Sequence, residues 1–142
     1  MHISEHYADY PEKTIIVVSN NEVAKLLSAQ GRELDELLVL EVNTEHPEAR
    51  ASGVPNSAPP DVDAMKAHAR KELYAELSET LLGLLKKGYE KIILCSPEAN
   101  KNEIVEAMHT DVANHVLDVV PKNLASLPLD QVLRILQETR TP

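Results

Sequence analysis

Two histidines in the last third of the chain are of a type that binds metal ions. His109 and His115 lie on either side of Asp111, and imidazole and carboxylate groups are common zinc ligands. Their spacing crosses a predicted helix end and a predicted strand start, and it matches no standard zinc pattern. Exposed surface histidines are the simpler interpretation, so the sequence predicts no metal site.

A second cationic pair, His46 and Arg50, could clamp an anion. It lies at the entrance of a proline-rich segment, although solvated charges at a strand end are the more common arrangement. The sequence contains neither a GxGxxG motif nor a P-loop, the motifs whose backbone N–H groups hold phosphate. His46 and Arg50 are therefore a candidate anion clamp, and no cofactor is predicted.

The single cysteine, Cys95, would need a basic neighbour to become a reactive thiolate. It lies in the apolar run 91–96, and Lys91 is four residues away along the predicted strand. We interpret Cys95 as a small buried hydrophobic residue. One cysteine also excludes an internal disulfide.

The chemistry-bearing residues must be positioned by an α/β domain organised around residues 61–97. Apolar residues at steps of three and four, from Val62 through Met65 to Leu84, predict a long helix. Gly88 ends it, and the run 91–96 predicts a buried strand. The remaining patterns predict strands at 14–19 and 34–42, a helix at 102–109, a strand at 114–120 and a helix at 128–137.

The segment 22–30 is ambiguous. Its helix formers, such as Leu26 and Leu27, favour a helix, whereas its alternation and the preceding Asn20-Asn21 pair permit a hairpin strand. A helix here would give a doubly wound, flavodoxin-like sheet. A strand would give the order β-β-β-α-β-α-β-α, in which an antiparallel start leads into parallel crossovers.

Two polar segments set the predicted domain organisation. Residues 1–12 are interpreted as a polar lead-in, and residues 13–140 as one domain. Prolines interrupt residues 43–60, which predicts a long mobile loop within that domain.

Polar residues follow the predicted parallel strands, and ligands bind beyond the carboxyl ends of such strands. We define the strand-end rim as the seven residues expected at that edge: Asn20, Asn21, Ser96, Asn100, Lys101, Lys122 and Asn123. The rim is a candidate binding surface, and ordinary loop residues are the alternative interpretation.

Three segments together resemble the bacterial host attachment protein family: His-Pro-Glu-Ala-Arg at 46–50, Ile-Ile-Leu-Cys-Ser-Pro at 92–97 and Val-Pro-Lys-Asn-Leu-Ala-Ser-Leu-Pro at 120–128. That family is grouped with bacterial and archaeal relatives of the peptide-chain release factors. The resemblance implies the α/β fold of a release-factor middle domain, with a ribonuclease-H-like mixed sheet of five strands. It also implies a strand at 22–30 and contact with the ribosome or tRNA.

The chain lacks the residues that would carry reactivity in the proteins it resembles. Release factors hydrolyse peptidyl-tRNA with a Gly-Gly-Gln loop. This sequence contains no Gly-Gly-Gln, and Gln30-Gly31 is the only place where a glutamine adjoins a glycine. A two-metal nuclease needs paired carboxylates, yet the strand ends carry Asn20, Asn21 and Ser96. The sequence therefore predicts a binding module without catalytic residues.

The amino-acid composition of the chain narrows the classes of molecule that it could bind. A net charge of −9 and the absence of Phe and Trp argue against general nucleic-acid binding, which uses basic and aromatic side chains. No apolar run approaches the ~20 residues that cross a membrane, and no signal peptide is apparent, so the expected compartment is the cytoplasm.

Three functions remain open. The first is a ribosome- or tRNA-binding module that uses Lys101 and Lys122. The second is a protein–protein interaction factor in attachment or stress response, and the third is a weak hydrolase at the rim. A homodimer would have to form through the edge strand 34–42 or through helix faces.

Overall fold

A computed structural model describes residues 1–42 and 62–139. Five strands form one mixed sheet in the order β3-β2-β1-β4-β5. The elements are β1 (Tyr10–Ser19), β2 (Val23–Gly31), β3 (Glu33–Glu41), α1 (Val62–Leu85), β4 (Lys91–Cys95), a 3₁₀ turn (Glu98–Asn100), α2 (Lys101–Glu106), α3 (Thr110–Ala113), β5 (Val116–Val120) and α4 (Leu129–Thr139).

The ambiguous second segment is a strand, as the resemblance implied. β2 pairs antiparallel with β1 and with β3. Leu26 is buried against one face of the sheet and Leu27 against the other, whereas a helix would bury only one stripe. Pairing on both sides therefore overrides the local helix propensity. Gly31, with a φ of 60°, makes the tight turn into β3.

The parallel half of the sheet is built on β4. This strand lies between β1 and β5 and is parallel to both. Ile92, Leu94 and Cys95 are fully buried and Ile93 is 7% exposed, so both faces are covered, as the apolar run predicted. Gly88, with a φ of 104°, lies where a glycine stop was predicted, in the turn between α1 and β4.

Helices cover both faces of the sheet. On one face, Leu73, Leu77 and Leu81 of α1 pack against residues that include Ile15 and Val17. On the other face, α4 contributes Val132, Leu133 and Leu136 to a second core. The predicted apolar stripe is wrong at its start, because Met65 is 42% exposed. The periodic pattern continues beyond the part of the helix that reaches the sheet.

The N-terminal residues contribute to the core. Ile3 is fully buried and Tyr10 is 3% exposed, although the sequence suggested only a polar lead-in. β1 begins four residues before the predicted Thr14, and its register with β2 shifts between Tyr10 and Thr14. Pro11 lies in this irregular stretch, where a missing N–H is tolerated.

Of two other predictions, one is corrected by the structure and one concerns residues that the structure does not describe. The predicted helix at 102–109 is shorter and is followed by a separate turn of helix, α3. The predicted mobile loop at 43–60 lies outside the described residues. No helix in the described ranges has the length and apolarity needed to cross a membrane.

Candidate functional site

The carboxyl ends of β1 and β4 bring part of the strand-end rim together. The two strands are parallel neighbours, with Val18 opposite Cys95, so Asn21 and Ser96 emerge at the same edge. The Asn100 amide, in the 3₁₀ turn after β4, donates a hydrogen bond to the side-chain oxygen of Asn21. Ser96 is fully buried and Asn100 is 6% exposed.

Asn20 shapes the turn between β1 and β2. Its side-chain oxygen accepts hydrogen bonds from the backbone N–H groups of Glu22, over 2.7 Å, and Val23, over 2.9 Å. This Asx turn uses the acceptor of the amide locally. Next to it, the Ser19 hydroxyl donates to the Cys95 carbonyl over 2.8 Å, which ties the two parallel strands together.

Tyr74 of α1 completes the arrangement, and sequence analysis missed it. Its side chain is fully buried, and its hydroxyl donates to the Asn20 carbonyl over 3.4 Å. Hydrogen bonds also link it to the side chains of Ser96 and Asn100. A tyrosine directly after Leu73 in an apolar stripe could have signalled this role, because a buried phenol needs a polar partner.

An ion pair flanks Tyr74. Arg70, one turn earlier on α1, donates from Nε to Glu103 Oε2 of α2 over 2.8 Å. The two side chains are 21% and 37% exposed, so water partly screens them. Burial raises the pKa of the Tyr74 phenol and the Glu103 charge raises it further, while Arg70 and the hydrogen bonds with Ser96 and Asn100 oppose that rise. The phenol therefore stays neutral at physiological pH.

We define the amide–tyrosine cluster as Asn20, Asn21, Tyr74, Ser96 and Asn100. Its members are neutral donors and acceptors, most of which are already engaged with one another. None of the five is ionised at neutral pH, so the cluster supplies no general base. Its arrangement fixes the end of the sheet and offers polar atoms for recognition.

The other three rim residues lie outside this cluster. Lys101 is half-buried at the start of α2, and Lys122 and Asn123 are exposed after β5. The Asn123 side-chain oxygen accepts from the Ala125 N–H over 3.4 Å. Ser96 N–H donates to the Val120 carbonyl over 3.0 Å, which keeps the end of β5 beside the cluster. The rim thus has a neutral part, whose side chains are linked by hydrogen bonds, and an open part, defined as Lys101, Lys122 and Asn123.

The remaining candidate residues are placed as follows. His46 and Arg50, the candidate anion clamp, lie outside the described residues. His109 accepts from the Asp111 N–H over 3.1 Å through Nδ1 and caps α3, and Nδ1 of His115 lies 2.8 Å from the Asp111 carbonyl oxygen. Within residues 1–42 and 62–139, no three His, Cys, Asp or Glu side chains form a group that could hold a metal ion.

Cys95 is a buried hydrophobic residue, as interpreted from its position. The side chain is fully buried. Burial, followed by the charge of Asp118, raises the pKa of the thiol to about 12. The reactive thiolate is therefore strongly disfavoured in the folded protein.

A surface cavity of about 210 Å³ lies between the N-terminal segment and α4. Met1, Tyr7 and Arg134 are among its lining residues, and none of the lining residues belongs to the rim. The rim is thus distinct from this cavity.

The family model of the bacterial archaeo-eukaryotic release factor family 12 matches residues 13–136. The chain belongs to this family. The release-factor part of the resemblance seen in the sequence is thereby confirmed. Comparison with curated proteins gives no match.

Solved structures share the fold of this family member. The archaeal translation termination factor aRF1 is 19% identical with a TM-score of 0.52, over 78% of this chain and 30% of that one. Dom34 of S. cerevisiae, a translation termination-like factor involved in RNA quality control and interacting with Hbs1, is 12% identical with a TM-score of 0.52, over 91% and 34%. An archaeal protein matches at 19% identity and a TM-score of 0.53, over 89% and 34%. The chain thus spans about a third of each of these chains.

Proposed function

We propose that this member of release factor family 12 is a non-catalytic binding module that contacts the ribosome or tRNA. The observation that carries the proposal is the family match over residues 13–136, in a chain whose sequence contains no Gly-Gly-Gln. Such a role belongs in the cytoplasm. The open part of the strand-end rim, with Lys101 and Lys122, is the proposed contact surface.

The position of Gln30-Gly31 supports a role without ester hydrolysis. Gly31 lies opposite Tyr10, at the start of β1, whereas the rim follows the end of β1. The glutamine is therefore at the other end of the sheet from the amide–tyrosine cluster. The neutral cluster offers no base that would activate water at the rim.

The charge distribution requires the contact to be local. A chain with a net charge of −9 is repelled by phosphate over most of its surface. Two lysines at the edge of a rigid cluster provide the positive charge that a phosphate backbone attracts. The Asn21–Asn100 bond and the buried Tyr74 hold the elements that carry Lys101 in a fixed position.

Co-sedimentation with ribosomes across a salt series tests the proposal. We expect binding at low salt and a loss of binding for the Lys101→Glu/Lys122→Glu double variant. The matched control is Lys86→Glu/Lys87→Glu, which makes the same charge change on exposed residues that precede β4. If both lysines contact phosphate, neutralising them to alanine lowers the salt slope by about one per lysine. Absence of wild-type co-sedimentation at low salt would end the proposal.

A second candidate function is a protein–protein interaction factor, in attachment or in a stress response. The observation that favours it is β3, an edge strand with exposed acids at Glu33, Asp35, Glu36 and Glu41. Affinity capture from a cell extract separates the two functions. Recovery of ribosomal components alone counts against an interaction factor of this kind.

A further inference from the structure

In the described part of the chain, the edge strand β3 has a stretch without a backbone partner on its outer side, residues 35–41, called the uncovered stretch below. β3 pairs with β2 along one side. Among the described residues, its other side bonds only to the start of the chain: Leu34 N–H donates to the Met1 carbonyl over 2.9 Å, and the Met1 nitrogen donates to the Leu34 carbonyl over 2.8 Å. Across residues 1–42 and 62–139, no backbone partner continues this pairing along residues 35–41.

The first residues of the chain show what this edge accepts. His2 and Glu33 form an antiparallel bridge. The α-ammonium group of Met1 lies 3.1 Å from Asp35 Oδ1, and Nδ1 of His2 lies 3.2 Å from Glu33 Oε1. The segment thus forms an isolated antiparallel bridge with β3 and brings a positive charge to one of its acids.

The uncovered stretch combines acids with exposed apolar side chains. Asp35, Glu36 and Glu41 are exposed, while Leu37 is 39% exposed and Val39 is 38% exposed. Edges are commonly protected by short length, by a β-bulge or by charged side chains, above all lysine. β3 has nine residues and no lysine, whereas β5, at the other edge of the sheet, has five. β3 therefore offers the longer template for strand addition, with an irregularity at Leu37, where its register against β2 shifts.

The acidic side chains of β3 determine which kind of strand can pair with this edge. In an antiparallel pair of two β3 strands, the acids at 35 and 36 of each copy would lie near Glu41 of the other. Like charges directly opposite each other destabilise a strand pair, and opposite charges stabilise it. A second copy is therefore disfavoured, and a strand with lysine or arginine at alternate positions is favoured.

We propose that residues 35–41 of β3 bind an extended, basic segment of another protein, which adds to the sheet as an antiparallel strand. Backbone hydrogen bonds provide the pairing, and alternate side chains provide specificity. Basic groups face Glu36 and Glu41, which lie on the same face of the strand as Val39, and β-branched side chains face Leu38 and Leu40 on the other face. This interaction does not depend on the ribosome contact, because β3 and β5 are opposite edges of the sheet.

A capped octapeptide of alternating lysine and valine is the probe for this edge. Its affinity for the full chain is measured by fluorescence anisotropy, and amide hydrogen exchange locates the contact. We expect residues 35–41 to gain protection. The Glu36→Lys/Glu41→Lys variant should weaken binding by about tenfold, since two favourable cross-strand pairs become repulsive.

Two controls separate strand addition from charge attraction. The variant Glu76→Lys/Glu79→Lys makes the same charge change on exposed acids of α1 and should alter affinity by less than about twofold, as expected of distant surface charges. A probe N-methylated at alternate residues keeps its charge but cannot complete the ladder, so it should not bind. Equal binding of the methylated probe, an equal effect of the α1 variant, or protection of residues 35–41 by self-association without peptide would each overturn the proposal.

Discussion

The side-chain amide of Asn100 donates a hydrogen bond to the side-chain oxygen of Asn21, although 79 positions separate them in the sequence. One residue follows β1 and the other lies just after β4, so this bond closes the end of the two parallel strands. Around it, Tyr74 adds a buried phenol from the helix above. The closure makes the amide–tyrosine cluster a unit whose members depend on one another.

Removing one amide should therefore cost stability. We expect Asn100→Ala to lower the free energy of unfolding by about 0.5–1.5 kcal/mol, because the buried Asn100 amide and its hydrogen bond are lost, while the exposed Asn21 side chain can bond to water instead. Urea denaturation measures the change. Asn123→Ala, at an exposed rim position, is the control and should stay within about 0.5 kcal/mol. Additive effects in the Asn21→Ala/Asn100→Ala double variant would show that the bond contributes nothing.

Tyr74→Phe tests whether the cluster acts only as a support. The change removes the hydroxyl and keeps the ring, so we expect a loss of about 0.5–1.5 kcal/mol in the free energy of unfolding. Ribosome co-sedimentation should be unchanged, because the proposed contact is made by Lys101 and Lys122. A strong loss of co-sedimentation with intact folding would instead assign Tyr74 to the contact surface.

Alkaline pH should destabilise the fold through Cys95. Its thiol pKa is raised from 9.0 to about 12, so the unfolded chain releases this proton at a lower pH than the folded protein does. Stability is then fully present below pH 9 and falls by up to about 1.4 kcal/mol per pH unit as the pH rises towards 12. Urea titrations at pH 8 to 11 measure this slope.

Cys95→Ala is the comparison for that experiment. The variant starts from a lower stability because a small cavity replaces the sulfur, but its stability should fall less steeply with pH. Native protein should also resist thiol-reactive reagents until it is unfolded. Equal pH slopes for both proteins would contradict the role given to the buried thiol.

The two halves of α1 should respond differently to truncation. Leu77 is fully buried, and Leu77→Ala should cost about 2–5 kcal/mol in unfolding free energy. Met65 lies on the same helix but is 42% exposed, and Met65→Ala should stay within about 0.5 kcal/mol. Thermal or urea unfolding of both variants distinguishes the two halves. A large loss from Met65→Ala would mean that the first turns of α1 are covered.

Much of the sheet could be predicted from local pattern. The run around Ile93 and the run around Val17 are apolar on both faces, and only a central strand satisfies that pattern. β2 was harder to predict, because its residue types favour a helix whereas its pairing with neighbouring strands favours a strand. Only the family resemblance decided between them, since pairing with β1 and β3 is not visible in a local window.

The site was predictable only where it depends on strand ends. Asn21, Ser96 and Asn100 could be placed together because parallel neighbours end at the same edge. Tyr74 and Arg70 could not, since helical periodicity gives the buried face of α1 but not which turn lies above the strand ends. Met65 was misjudged for the same reason. Ile3 was missed because one apolar residue in a polar segment gives no periodic signal.

The short pairing of Met1 and His2 with β3 has a practical consequence for anyone producing this protein. Residues fused ahead of Met1 would be directed antiparallel along positions 35–41 of the same edge. An amino-terminal affinity tag, particularly one rich in histidine or lysine, would then lie where the basic segment is proposed to bind. Purification handles for interaction experiments therefore belong at the carboxyl terminus.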